Sequence, residues 1–133
     1  MTPSLRQDLL TATPRFTHRI QVTFADVDAA GLVFFARTCA FFHQAYVELR
    51  RGRSEKIAEY TTRPTSRIIS TEADYLRPLR AGDHADVLIV SSAFSGGQAT
   101  IGFRIVTTIG EVVAIGTLVH TTDAAVELPL TSP

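Results

Sequence analysis

From Phe16 the chain alternates: Phe16, His18, Ile20, Val22 and Phe24 fall against Thr17, Arg19, Gln21 and Thr23. That period of two is the mark of a strand with one buried face. It ends at Asp26-Val27-Asp28-Ala29-Ala30-Gly31, and the next stretch, about Leu32 to Arg51, has no glycine or proline. Phe35, Cys39, Phe42, Tyr46 and Leu49 lie on one helical stripe of that stretch, with Phe34 and Phe41 off it. Between Leu32 and Phe42 the only charge is Arg37, so the pattern predicts a helix wrapped by protein around its first turns. Glu48, Arg50, Arg51 and Arg53 predict emergence into solvent, with cations at the favourable end of the helix dipole and Gly52 as the stop. Ser54 would cap a short helix over Glu55 to Tyr60, closed by Arg63-Pro64.

Four strand-like runs follow: Ser66–Leu76, Ala85–Phe94, Gln98–Thr108 and Glu111–Thr122. The breaks between them carry turn chemistry, at Arg77-Pro78-Leu79-Arg80-Ala81-Gly82-Asp83, Ser95-Gly96-Gly97 and Ile109-Gly110. Met1–Pro14 reads as a loose arm or short helix with Ser4 as a candidate cap, and the tail from Ala124 (124–133) as a loose extension. One strand, one wrapped helix and a meander of four strands make an α+β domain. A helix of ~18 residues would run ~27 Å, the width of a five-stranded antiparallel sheet. Curling that sheet around one long central helix gives the hot-dog arrangement.

The 133 residues suit a single domain spanning 1–133. Thirteen basic and thirteen acidic residues cancel, which argues against a nucleic-acid-binding surface and leaves little charge repulsion to oppose a homo-oligomer. Cys39 is the only cysteine, so no disulfide can form within the chain and a reducing compartment is expected. Residues 1–15 contain Asp8 and Pro14 instead of the apolar run of a signal peptide, and no stretch reaches the ~20 apolar residues of a membrane span. A cytoplasmic protein without membrane attachment is the expectation.

The usual motifs of serine hydrolases and of nucleotide binding are missing: Ser95-Gly96-Gly97 lacks the Lys-Ser/Thr of a phosphate loop. His18, His43, His84 and His120 are scattered without ligand spacing, so no metal is expected. The informative segment is Asp26-Val27-Asp28-Ala29-Ala30-Gly31, two carboxylates directly before a buried helix. One of them could be an ordinary helix cap. Capping needs only one, however, and a buried helix N-terminus presents unsatisfied N–H groups and partial positive charge. Such donors can hold an oxyanion while a nearby carboxylate attacks, or deprotonates water, which is the chemistry of acyl transfer.

Thr23 to Arg37, with Asp-x-Asp-x-x-Gly followed by Leu32-Val33-Phe34-Phe35, resembles the signature of the 4-hydroxybenzoyl-CoA thioesterase family of hot-dog enzymes. Ser70 to Asp83 is similar to that family's central strand and following turn, and the two blocks span about Phe16 to Thr122. The resemblance implies a thioesterase acting on an acyl-CoA, with Asp28 as nucleophile or general base. It further implies that the backbone N–H of Phe35 polarises the thioester carbonyl. Gly31 would let the chain approach the acyl group, and Asp26 would be structural. The family builds its sites between subunits, so a homodimer or homotetramer is implied, with no cofactor beyond the coenzyme A of the substrate. Phe35 to Tyr46 is similar to members acting on aromatic acyl-CoAs, the 1,4-dihydroxy-2-naphthoyl-CoA hydrolases among them, with His43 as a core or interface histidine. From their place at the head of the helix, Phe34, Phe35 and Phe41 could wall an apolar acyl pocket, and Arg77, Arg80 and Arg104 are candidates for the CoA phosphates. Ala36 stands where some relatives carry histidine or proline, and the turn Phe94–Gln98 lacks the basic run that contacts CoA in others. The alternatives are an acyl-CoA or acyl-carrier-protein binding module with little catalysis, an acyl-carrier-protein thioesterase, or a dehydratase, which would want a histidine beside the acid.

Overall fold

The computed structural model describes residues 1–51 and 67–121. Helix α1 (Pro3–Thr11) leads into strand β1 (Phe16–Gln21) and the long helix α2 (Phe35–Arg51). After them come β2 (Ile68–Tyr75), β3 (His84–Ser95), β4 (Gln98–Thr107) and β5 (Val112–Thr121). Every strand pairing is antiparallel, and the sheet order is β1-β3-β4-β5-β2. The five-stranded sheet against one long helix is the architecture that the pattern predicts. Gly52, Arg53, the short helix at 55–60 and the tail from Ala124 lie outside the described residues.

The late strands are not one meander. Only β3, β4 and β5 are joined in sequence order; β2 sits at the far edge, with Thr71 opposite Leu118 and Tyr75 opposite Ala114. The physical reason is that β1 and β4 already occupy both edges of β3. The connection from Leu76 to Asp83 therefore crosses the fold, and on its way it clips the loop before α2. Val33 N–H donates to the Leu79 carbonyl at 2.8 Å, Leu32 bridges Arg80, and Leu79 is buried. Ser95 pairs with Gln98 across Gly96 and Gly97, whose φ values of 59° and 76° are those of a hairpin turn that only glycine-like residues adopt cheaply.

The core lies between α2 and the inner face of the sheet. Phe42, Ala45, Tyr46 and Leu49 pack with Val87, Ile89, Ile101, Phe103, Ile105 and Leu118. Phe42 stacks on Phe103 with centroids 4.7 Å apart and planes 14° from parallel. At Gly116 an added Cβ would stand 2.2 Å from the Glu72 carbonyl and 2.8 Å from the Phe42 ring. Only glycine lets β5, the edge strand and the helix meet there.

Four local expectations change. Helix α2 begins at Phe35 instead of Leu32, because Leu32 and Val33 are committed to bridges with Arg80 and Val27. Its first turn is not wrapped: Phe34 and Phe35 are 44% and 63% exposed. At the other end, Arg50 does not emerge but is buried, donating to the Tyr46 hydroxyl at 2.8 Å. The strand pattern through Phe24 also stops early. Thr23 N–H and hydroxyl bond to Asp26, the chain turns through a 3₁₀ turn at Phe24–Asp26, and Phe24 is 89% exposed.

Residues 1–14 supply a docked helix. Thr2, not Ser4, caps α1, its hydroxyl accepting from Leu5 N–H at 3.1 Å. Leu9 is buried with Leu88, Val90 and Ile115 in a second apolar cluster on the other face of the sheet. The terminal amine pairs with Glu72, and Arg6 with Asp74, both on β2. Arg104 donates to the Leu9 and Ala12 carbonyls at 2.8 and 2.9 Å, holding the end of the helix to the sheet. That occupation removes Arg104 from the candidates for binding a phosphate.

Candidate active site

The segment from Thr23 to Phe35 folds back on itself before α2 begins. Asp26 is 4% exposed and organises it from inside. Its carboxylate accepts from the Thr23 N–H (2.8 Å), the Thr23 hydroxyl (3.0 Å) and Arg37 Nε (3.0 Å), while its carbonyl accepts from Phe34 N–H at 2.9 Å. Burial pushes the Asp26 pKa up, but the Thr23 bonds and the Arg37 cation outweigh it and leave the carboxyl below its ordinary value. Arg37, the lone charge in the apolar start of the helix, is thus the counter-ion of this aspartate.

Asp28 is the opposite case. It is exposed. Its Oδ1 accepts from the Ala30 and Leu32 N–H groups at 2.8 and 3.4 Å, and its backbone closes the loop through bonds to Leu32 and Gly31. Oδ1 thus fixes the side chain, and Oδ2 is unpartnered among the described residues. Gly31 serves this loop through its backbone conformation. Nothing lies within 4 Å of an added Cβ, and it is φ of 80° that calls for glycine.

Helix α2 opens a few residues later on the same loop. Arg37 N–H bonds back to the Phe34 carbonyl at 2.8 Å, whereas the N–H groups of Phe35 and Ala36 have no partner among the described residues. Beside this turn is an apolar cavity of about 350 Å³, lined by Leu32, Phe35, Thr38 and Phe41 from the loop and helix, and by Tyr75 to Leu79 with Ile105 and Val113 from the sheet side. One loop thus carries a carboxylate with an unpartnered oxygen and leads into a helix start with unpaired backbone donors beside an apolar recess; Asp28 itself is not among the residues that line the recess. Backbone donors of this kind can stabilise negative charge on a carbonyl oxygen, and a carboxylate of this kind can act as nucleophile or base.

The other residues singled out from the sequence divide. Phe34 is outside the cavity lining, its ring tilted against Phe35 at 4.6 Å. Arg77 lines the cavity and pairs with Glu111 at 3.0 Å on the surface. Arg80 is exposed beyond it, its N–H donating to Asp83. His43 is half-buried on α2, and burial lowers its pKa. Tyr75 and Thr38 went unremarked in the sequence, yet both line the cavity, and the Tyr75 hydroxyl donates to the Phe35 carbonyl at 2.9 Å. Burial pushes the Tyr75 pKa up, with the neighbouring Cys39 adding to it, so the phenol stays a proton donor at neutral pH. Among the described residues no group of three or more His, Cys, Asp or Glu converges to hold a metal ion, and no helix is long and apolar enough to cross a membrane.

No family model matches the chain. It is 31% identical over 100 residues to the 1,4-dihydroxy-2-naphthoyl-CoA hydrolase of Nostoc punctiforme, covering 74% of this chain and 66% of that protein. To the enzyme of the same name from Thermosynechococcus vestitus it is 29% identical over 110 residues, covering 81% and 75%. The chain thus spans about two thirds to three quarters of these relatives' lengths. In three dimensions it is similar to a 1,4-dihydroxy-2-naphthoyl-CoA thioesterase from Synechocystis, with a TM-score of 0.74, 19% identity, and coverage of 84% of this chain and 89% of that one.

Proposed function

This chain belongs to the hot-dog-fold thioesterase family, and on that premise we propose that it hydrolyses an aromatic or other bulky acyl-CoA to the free acid and CoA. The observation that carries the proposal is one loop. It joins an exposed carboxylate, free at Oδ2, to a helix start whose N–H groups are unpaired beside an apolar cavity. The thioester carbonyl oxygen accepts from the Phe35 N–H, in the field of the α2 N-terminus. The Asp28 carboxylate then either attacks the carbonyl carbon or takes a proton from an attacking water. Negative charge on the tetrahedral oxygen is held by the backbone donors, the C–S bond breaks, and the CoA thiolate leaves to be protonated. By the nucleophilic route, water then cleaves the mixed anhydride and frees Asp28. Arg77 at the cavity and Arg80 beyond it are the cations for the CoA phosphates. No metal or organic cofactor takes part, and a cytoplasmic enzyme fits the substrate.

Bulky acyl groups are favoured because the cavity of about 350 Å³ is walled by Phe35, Phe41, Leu79 and Val113. Burying an aromatic ring in place of a methyl group is worth roughly 1.5–3 kcal/mol, or about 10- to 150-fold. In a panel read by release of the CoA thiol, kcat/KM for benzoyl- or 1,4-dihydroxy-2-naphthoyl-CoA should exceed that for acetyl-CoA by at least tenfold. Equal values across the panel would refute the substrate class.

We also propose assembly as a homodimer or homotetramer. Among the described residues strand β2 pairs with β5 on one side only, and Ile68, Ile69, Tyr75 and Leu76 in and beside it are each more than 40% exposed. An open, apolar edge of this kind is a template for pairing with another chain. Light scattering should give a mass of at least two chains, and an active monomer would contradict the claim.

A further inference from the structure

We propose that Tyr75 is a positioning residue for the oxyanion donors, its phenol tethering the first turn of α2 to the edge strand β2 at the orientation the thioester requires. The inference rests on the thioesterase reading and adds to it a residue outside the Asp28 loop.

The first turn of α2 is poorly held by the usual means. Phe34 precedes it and has no side-chain oxygen to cap it, and Phe34 and Phe35 are largely exposed. From one side the turn is fixed by Phe34 N–H bonding to the Asp26 carbonyl at 2.9 Å. From the other it is fixed by the Tyr75 hydroxyl, which donates to the Phe35 carbonyl at 2.9 Å. That carbonyl shares its peptide unit with the Ala36 N–H, one of the two unpaired donors. A hydrogen bond at the carbonyl end polarises the unit and strengthens the N–H as a donor. A second contact between the same elements, Cys39 Sγ to Thr71 Oγ1 at 3.3 Å, keeps helix and strand in step one turn on. The Tyr75 ring meanwhile lines the cavity, so the residue that holds the donors also touches the space for the acyl group.

Tyr75→Phe removes the tether and keeps the ring. The expected result is a fall of about 5- to 20-fold in kcat for an aromatic acyl-CoA, with KM within about twofold and the melting temperature nearly unchanged. Binding of phenacyl-CoA, whose methylene between carbonyl and sulfur blocks hydrolysis, should change by less than about threefold by calorimetry. In ¹⁵N–¹H spectra the Ala36 amide resonance should move while those of the core strands stay. A kcat within twofold of the parent would overturn the proposal, and so would a KM rising alone, which marks a wall and no more. An unmoved Ala36 resonance would overturn it even for a protein without measurable activity. Failure of the parent to cleave any acyl-CoA would instead sink the functional reading, leaving the tether to be judged by that resonance.

Discussion

Asp28→Asn is expected to lose about 10²- to 10⁴-fold in kcat if the carboxylate is a general base, and more if it is the nucleophile. The structure makes this substitution a clean test. Oδ1 is the atom that accepts from Ala30 and Leu32, and an amide oxygen can do the same, so the loop should survive. Stability should therefore change by about 1 kcal/mol or less. What is lost is the negative charge and the unpartnered Oδ2. Asp26→Asn is the comparison, because its carboxylate is buried and fully engaged by Thr23 and Arg37. It should cost roughly 1–3 kcal/mol of stability, with a milder kinetic loss. Measuring kcat and melting temperature for both variants separates the two roles. A turnover near that of the parent in Asp28→Asn would remove this carboxylate from the chemistry.

The largest loss of stability is expected for Phe42→Ala. Phe42 is fully buried, stacked on Phe103 and seated against Gly116 where β5 and the helix meet. No neighbour can easily fill the space, since Gly116 offers no side chain and Phe103 already packs flat. Truncating such a ring costs about 3–5 kcal/mol, a large share of the roughly 5–15 kcal/mol that holds a domain together. Thermal unfolding should shift down by more than about 10 °C. A shift of only a degree or two would mean that α2 does not sit on the sheet through this ring.

The strands and helix were legible because one-sided burial writes itself into the chain as a period. The alternation over Phe16–Val22 matches burial at Ile20 and Val22, and the stripe through Phe42, Tyr46 and Leu49 is buried throughout. What the pattern could not carry was pairing. β2 looks like the next strand of a meander, yet hydrogen-bond partners on the sheet are set by which edges remain open, and that is decided by β1. Exposure was misread where an apolar run has a use other than packing in its own chain. The pattern puts Phe34 and Phe35 inside the wrap, whereas Phe35 stands at the cavity and Phe34 in the open. The pattern puts Arg50 in solvent and leaves Arg104 a candidate for a phosphate, but a guanidinium can be buried when backbone carbonyls or a phenol accept its hydrogen bonds, and periodicity does not register such partners. Of the site, the resemblance singled out the Asp26–Phe35 loop. The structure adds how it is held: Arg37 as the partner of Asp26, and Tyr75 from a strand forty residues away on the carbonyl of Phe35. Those are contacts of tertiary structure, with no local signal beyond the isolated charge of Arg37.

The measurement closest to the central claim follows both products at once. The purified protein is given an aromatic acyl-CoA, the CoA thiol is read with a thiol reagent, and the free acid is read by chromatography. The account predicts that thiol and acid appear together, one of each per thioester consumed, over many turnovers and without added metal. Binding of the acyl-CoA with no thiol released across the whole panel would contradict it, and would leave the chain a binding protein built on a thioesterase fold.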